Sequence, residues 1–179
     1  DNKCSYTLKD GFRFKNLNII GLEIFGNEIK AAKRNGIFLE GDYNHESDIP
    51  IMVKKNKITY CENHGIYIQD SMVTIEENTV LVNTIGGIMI EGVLGMAKSR
   101  VILANLNVNQ NLGFGVLIKG LFNSCLRISN SIFMENQNGI VYETIGKNSQ
   151  HFLSNNKIVN NFETGIKIMQ LNGKIYFVD

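Results

Sequence analysis

Hydrophobic and polar positions alternate along this chain in short stretches that recur throughout its length. Each recurrence begins with a glycine that is followed by an apolar residue, any residue and a second apolar residue. These glycines are 22 to 29 positions apart in the sequence: Gly11, Gly36, Gly65, Gly87, Gly115, Gly139 and Gly165. Alternation with a period of two predicts β-strands, because successive side chains of a strand point to opposite faces.

Two further stretches belong to each repeat. An apolar residue stands seven positions before each glycine from Gly36 onward: Ile29, Ile58, Val80, Val108, Ile132 and Ile158. Two positions earlier, all repeats but the one with Leu106 carry an asparagine: Asn27, Asn56, Asn78, Asn130 and Asn156. An alternating apolar pair, such as Val73 and Ile75, lies farther upstream. The apolar residues should line one interior file, and the asparagines should bond to their equivalents in neighbouring repeats.

Three strands per repeat predict an all-β solenoid, a parallel β-helix of about seven coils. The recurring glycines are structural in this interpretation. They are expected where the backbone bends with positive φ or packs too closely for a Cβ atom.

The segment from Asn78 to Ile90 reads Asn-x-Val-x-x-Asn, then Gly-Ile-x-Ile, and the segment from Asn156 to Ile168 repeats this pattern. The pattern resembles the right-handed parallel β-helix repeat of the pectin-lyase-like superfamily. That resemblance covers nearly the whole chain and implies a right-handed solenoid. The superfamily includes polysaccharide lyases, hydrolases and epimerases together with non-catalytic intracellular proteins, so the resemblance predicts the fold and leaves the activity open.

Composition narrows the range of partners. The chain has 179 residues and a formal net charge of +1, which gives no electrostatic basis for binding nucleic acid or an anionic membrane. Three cysteines do not make a disulfide framework, and their spacing predicts neither a metal site nor a cofactor. Free thiols favour an intracellular location, in the cytoplasm or in a cytoskeletal or organellar complex. Because the sequence opens and closes within a repeat, we expect residues 1–179 to be one domain excerpted from a longer chain, with both ends uncapped.

Variable loops follow each glycine-led strand and should emerge along one edge of the solenoid. The loop at 41–50 carries the densest titratable cluster: Asp42, His45, Glu46 and Asp48. The loops at 92–100 and 120–125 carry large apolar residues: Val93, Leu94, Met96, Leu121 and Phe122. These residues either fold back onto the coil or contact a partner protein, and we expect the second.

An outward column of polar residues should lie four positions after the glycines, including Glu91, Lys119 and Glu143. Coil spacing would place these three side chains about 5 Å apart. Such a ladder is the one arrangement in the sequence that could stage acid–base chemistry on a sugar. His64 is expected at a corner and His151 in the core, without catalytic roles.

These patterns favour a non-catalytic scaffold or protein-binding module of a larger intracellular assembly. Its partners would be other protein subunits that bind end-on or along the loop edge. The alternative is a carbohydrate-active enzyme or a polysaccharide-binding segment, which Glu91, Lys119 and Glu143 would serve. No nucleic acid or membrane is expected as a partner.

Overall fold

The structure is a computed structural model that describes residues 2–17, 21–41, 50–92 and 100–178. These residues form 21 β-strands in three parallel sheets, and each sheet contains seven strands. Each turn of the chain contributes one strand to every sheet before it rises to the next turn. The architecture is a three-sided parallel β-helix, as the repeat pattern predicts. No helix long and apolar enough to cross a membrane occurs in the described ranges.

We name the sheets A, B and C and number the strands in chain order. Sheet A contains β1 (Lys3–Ser5), β4 (Glu28–Lys30), β7 (Lys57–Thr59), β10 (Thr79–Leu81), β13 (Asn107–Asn109), β16 (Ile132–Met134) and β19 (Lys157–Val159). Sheet B contains β2 (Phe12–Leu17), β5 (Ile37–Gly41), β8 (His64–Gln69), β11 (Gly86–Glu91), β14 (Phe114–Lys119), β17 (Asn138–Ile145) and β20 (Thr164–Leu171). Sheet C contains β3 (Glu23–Phe25), β6 (Ile51–Lys54), β9 (Val73–Glu76), β12 (Arg100–Ala104), β15 (Cys125–Ser129), β18 (Gln150–Ser154) and β21 (Lys174–Val178).

The core is one continuous column of apolar side chains inside the three sheets. In sheet B, Ile66, Ile88 and Val116 are equivalent positions on neighbouring strands, and all three are fully buried. Sheet C contributes the files that contain Val73 and Ile75, as the alternating pairs predict. Each fully buried aliphatic side chain stabilises the fold by about 1.5–3 kcal/mol.

The interior file of sheet A corrects one sequence prediction. Val108 pairs with Phe133, which in turn pairs with Ile158, so Phe133 occupies the inward position predicted for Ile132. Phe133 is fully buried, whereas Ile132 is 39% exposed.

The same coil places Ser131, not Asn130, in the asparagine column. Ser131 Oγ accepts a hydrogen bond from the Leu106 backbone N–H at 3.1 Å, and the Ser131 N–H donates to Asn156 Oδ1 at 3.1 Å. Asn130 instead takes the left-handed corner position with φ of 50°. The cause is a corner one residue shorter between Asn136 and Gly139 than the equivalent corner between Asn111 and Gly115. A count of seven positions back from Gly139 therefore reaches Ile132, one residue before the inward-facing Phe133.

Two ladders of buried amides connect the coils. The predicted ladder includes Asn27, Asn56 and Asn78, and each Oδ1 accepts a bond from a backbone N–H of the coil before it, which is that of Asn2 in the case of Asn27. A second ladder contains Asn83, Asn111, Asn136 and Asn161. Cys61 fills the equivalent slot of an earlier coil, fully buried, and its N–H donates to Asn83 Oδ1 at 2.9 Å. The ladders satisfy corner N–H groups that no strand pairs.

All of the recurring glycines but Gly165 are required by close packing and not by positive φ. At Gly87, an added Cβ would lie 2.5 Å from both the Gly115 carbonyl oxygen and Val108 Cγ1. Similar contacts below 3.0 Å occur at Gly36, Gly65, Gly115 and Gly139. At Gly165 a Cβ would meet only Ile158, at an ordinary 3.5 Å. None of these six positions has a positive φ.

Candidate functional site

The outer face of sheet B carries a file of large apolar side chains that crosses five coils. We call this file the apolar stripe: Phe38, Tyr67, Met89, Leu117 and Val141. Its side chains point away from the interior because each lies between two inward-facing residues of its strand. The stripe is half-buried overall, and Phe38 and Val141 are exposed by only 7% and 8%. Apolar side chains on an outward file cover one another along the stripe.

A charged file runs beside the apolar stripe, two residues farther along each strand. Lys119 Nζ lies 3.4 Å from Glu91 Oε1 and 4.0 Å from Glu143 Oε1. Near the start of the chain, Lys15 pairs with Glu40 at 2.9 Å. The predicted ladder of Glu91, Lys119 and Glu143 therefore forms, with one ammonium group against two carboxylates. Partly exposed pairs of this kind contribute little to stability individually.

Tyr67 links the apolar stripe to the charged file. Its hydroxyl donates a hydrogen bond to Glu91 Oε2. Burial, and then the bond to the Glu91 carboxylate, raise the pKa of Tyr67 above its usual value. The phenol therefore stays protonated and acts as a hydrogen-bond donor, while Glu91 retains a second oxygen against Lys119.

His64 lies at the head of β8, at the end of a chain of hydrogen bonds. Arg13 Nη1 donates to Asp10 Oδ2 at 2.9 Å, and Asn35 Nδ2 donates to Asp10 Oδ1 at 2.9 Å. Asn35 Oδ1 is therefore turned toward His64 Nδ1, 3.0 Å away. Because an amide oxygen only accepts, His64 Nδ1 carries the proton and Nε2 keeps its lone pair. Burial lowers the pKa of His64 to about 4, so the imidazole is neutral at pH 7.

A glycine beside His64 shapes this part of the face. Gly86 stands between His64 and Phe114 in the register of sheet B. The Phe114 ring lies across Gly86, where an added Cβ would be 2.4 Å from Phe114 Cε2. This places the Phe114 ring against His64, with centroids 5.7 Å apart and planes inclined by 27°. Any larger residue at position 86 would displace the aromatic ring that covers the imidazole.

The predicted partner-binding loop residues fall into two groups. Val93, Leu94 and Met96 lie outside the described residues, as do Asp42, His45, Glu46 and Asp48. Leu121 is only 3% exposed and packs in the core, so the expectation that it faces a partner is wrong. Phe122 is half-buried, and its ring lies where a Cβ on Gly146 would stand. The loop at 120–125 thus folds back onto the coil, which was the alternative to a partner contact in the sequence analysis.

The Arg13–Asp10–Asn35–His64 chain was not identified from the sequence. Its signal was present, since Asp10, Asn35 and His64 each directly precede a recurring glycine. These polar side chains are seen to meet only when the residues directly before the glycines are compared from one coil to the next. His151, by contrast, lies in the core as predicted: it is fully buried, with Nε2 3.4 Å from Ser124 Oγ.

In the parts of the chain that the structure describes, no cluster of three or more His, Cys, Asp or Glu side chains is arranged to hold a metal ion. The three cysteines are free thiols, and burial raises the pKa of Cys61 to about 11. A thiol with so high a pKa is a poor nucleophile at neutral pH.

Comparison with known families agrees with this architecture. A family model described as a right-handed β-helix region matches residues 10–179. No curated protein and no solved structure matches the chain.

Proposed function

Because this chain belongs to the right-handed β-helix family, we propose that it is a non-catalytic scaffold or protein-binding module within a larger intracellular assembly. The single observation that carries this proposal is the apolar stripe on sheet B. Large apolar side chains on an outward file are not required to fill the core of a solenoid, because the inward files already fill it.

The dimensions of the apolar stripe suit a protein ligand. Its three partly exposed residues on successive coils, Tyr67, Met89 and Leu117, span roughly 10 Å at the spacing of neighbouring strands. Its centre is Met89 and Leu117, both half-buried and apolar. A polar rim beside an apolar centre is the usual composition of a protein–protein interface, and the file of Glu91, Lys119 and Glu143 supplies that rim. The proposed partner is another subunit that presents an apolar segment to the stripe.

An intracellular location for this assembly is part of the proposal, in the cytoplasm or in a cytoskeletal or organellar complex. Its support is the presence of three unpaired cysteines, of which Cys4 and Cys125 are partly exposed. Thiols of this kind persist in reducing compartments.

The proposal is tested by placing charges in the centre of the apolar stripe. A chain with Met89→Glu and Leu117→Glu should lose the subunits that co-purify with the wild-type protein from its native cells. Met52→Glu is the matched control, since Met52 is also a half-buried outward methionine but lies on sheet C. Thermal unfolding checks that both variants remain folded. Retention of the same subunits by the double variant, or their equal loss in the control, would refute the proposal.

A second candidate function, a carbohydrate-active enzyme, is favoured by the groups beside the apolar stripe. His64 offers an oriented Nε2 lone pair, and its ring lies 5.5 Å from the Tyr67 ring. Glu91 and Glu143 flank one ammonium group, which is a pairing that acid–base chemistry on a glycosidic bond can use.

Uronic-acid polymers are the substrates with which to test this candidate. Turnover that disappears in both Glu91→Gln and His64→Gln, but persists in Glu62→Gln, would replace the scaffold proposal with an enzyme. Glu62 is a suitable control because it is an exposed carboxylate that pairs with Lys33 away from the stripe. The scaffold proposal expects no turnover by the wild-type chain.

A further inference from the structure

The outer face of sheet C carries a stack of three side chains on β15, β18 and β21. The rings of Phe152 and Tyr176 are nearly parallel, with centroids 4.9 Å apart and planes inclined by 12°. On the other side of Phe152, the Arg127 guanidinium carbon lies 5.7 Å from the ring centroid. The strand register holds all three residues at equivalent positions on neighbouring coils. The stack is therefore preorganised, because each side chain is fixed by the one on the next coil.

A shallow depression of about 290 Å³ lies against this stack. Its walls combine the apolar residues Phe152 and Val178 with the hydroxyl-bearing residues Ser129 and Ser154 and with Arg127. Apolar walls with a few convergent polar groups are characteristic of a binding site.

The electrostatic character of this face is positive over its last four strands, whereas β3 and β9 of the same sheet carry Glu23 and Glu76. Strands β12, β15, β18 and β21 contain Arg100, Arg127 and Lys174 and have no aspartate or glutamate in their sequences. No ion pair of the described residues involves Arg127, although Arg13 on sheet B is paired with Asp10. The exposed guanidinium retains hydrogen-bond donors in a planar arrangement that matches a carboxylate.

The stacking also discriminates between classes of ligand. Sugar rings bind aromatic side chains through an open ring face, but both faces of Phe152 are occupied, one by Arg127 and the other by Tyr176. What Phe152 offers is its ring edge, which packs well against an aliphatic or aromatic side chain. A carboxylate next to an apolar side chain fits this surface better than a carbohydrate does.

We propose that the depression at Arg127 and Phe152 binds an acidic segment of a partner protein, with its carboxylate on Arg127 and a neighbouring apolar side chain against Phe152 and Val178. This site goes beyond the function proposed above, because it lies on sheet C and uses none of the residues of the apolar stripe.

A peptide titration tests the site directly. The probe is an acetylated, amidated peptide with the sequence Gly-Leu-Glu-Phe-Asp-Leu-Gly, and its counterpart carries Gln and Asn in place of Glu and Asp. Binding to the isotope-labelled chain is followed by NMR, including the side-chain Nε–H resonance of Arg127. The acidic peptide should give saturable shifts at Arg127 and Phe152, whereas its neutral counterpart should not. Arg127→Gln should weaken binding about tenfold or more, because hydrogen bonds to charged groups are worth that factor.

Two controls separate this proposal from the preceding one. Arg34→Gln removes an exposed arginine from a corner between sheets A and B and should leave the affinity unchanged. The double variant Met89→Glu, Leu117→Glu should also bind the peptide normally, since its substitutions are on sheet B. The proposal is overturned by equal binding of the neutral peptide, by unchanged affinity in Arg127→Gln, or by the absence of saturable shifts. Tighter binding of trigalacturonate than of the acidic peptide would also overturn it and assign the site to a carbohydrate.

Discussion

At the scale of single residues, the corners of the solenoid place many side chains in the left-handed backbone region. Among the described residues, fifteen that are not glycine have a positive φ between 48° and 60°. Several are asparagines, which tolerate this conformation well, but the corner after β10 is occupied by Val82, with φ of 56°. A β-branched side chain is unfavourable there, because its Cβ substituents crowd the neighbouring carbonyl groups.

Replacing Val82 with asparagine should therefore stabilise the protein. Asn160 occupies the equivalent corner after β19 with φ of 54°, so the substitution suits this position. The expected gain in the free energy of unfolding is about 1 kcal/mol, measured by urea denaturation. Leu81→Asn, at the last residue of β10, is the matched control and should lower stability. A loss of stability in Val82→Asn would show that contacts of the valine outweigh its backbone strain.

Individual residues also show how far the sequence could be interpreted. The glycine pattern located all seven strands of sheet B, because close packing at Gly87 and at all of its equivalents but Gly165 leaves no room for a Cβ atom. The interior file failed only at Ile132, where the shortened corner before Gly139 places Phe133 inside. Periodicity assigns a residue to a face only while the corner lengths stay constant, and the spacing of the glycines alone does not mark which corner has lost the residue.

At the scale of elements, the amide ladders connect coils more specifically than the apolar core does. Asn111 Oδ1 accepts bonds from the Asn83 backbone N–H at 3.0 Å and from Asn83 Nδ2 at 2.9 Å. Its own amide group donates to Asn136 Oδ1 at 2.9 Å and to the backbone carbonyl of Asn109 at 3.1 Å. One buried side chain thus joins three successive coils.

Asn111→Ala should be strongly destabilising for this reason. The substitution leaves the buried Asn83 amide groups without an acceptor, which should lower the free energy of unfolding by about 3 kcal/mol. Denaturant titration measures this change. Asn172→Ala, at an exposed position where only the backbone N–H is bonded, should change stability by less than about 0.5 kcal/mol. Similar effects of the two substitutions would contradict the structural importance of the ladder.

The charged file of sheet B was predictable because its members recur at a fixed distance from the glycines. The chain of hydrogen bonds from Asp10 through Asn35 to His64 could not be predicted in the same way. Its direction depends on which atom of the Asn35 amide faces the imidazole. The aromatic stack on sheet C escaped prediction for a related reason. Arg127, Phe152 and Tyr176 are far apart in sequence and chemically unlike one another, so only their shared register brings them together.

At the scale of the whole molecule, one uninterrupted core contains a buried titratable pair. His151 is fully buried in the inward file between Leu126 and Ile175, and its ring centroid is 5.5 Å from that of Tyr142. His151 Nδ1 and the Tyr142 hydroxyl have no hydrogen-bond partner among the described residues. Burial lowers the pKa of His151 to about 4, because an imidazolium would lose its hydration in the apolar interior.

Acid should therefore destabilise the folded chain through His151. The unfolded state binds a proton near the ordinary histidine pKa, while the folded state resists protonation until about pH 4. The stability contributed by the neutral imidazole is complete above pH 6.5 and decreases by roughly 3 kcal/mol as the pH falls to 4.

Comparison of His151→Leu with the wild type isolates this contribution. Denaturant unfolding measured from pH 7 to pH 4 should show a shallower loss of stability in the variant by about that amount. The rest of the acid sensitivity remains, since the pKa of His64 is also lowered by burial. Parallel stability profiles for the two proteins would show that His151 is not the group responsible.

The equivalence of the asparagine slots has a consequence for how such a chain can change over generations. Because Asn83, Asn111 and Asn136 offer the same donors and acceptors to the coil on either side, one whole turn can be duplicated or deleted without exposing an unmatched amide. Recombination within the gene can thus lengthen or shorten the rod in steps of roughly 4.8 Å. Such steps would alter the distance between surfaces on the early and late coils, while the asparagine ladder remained continuous.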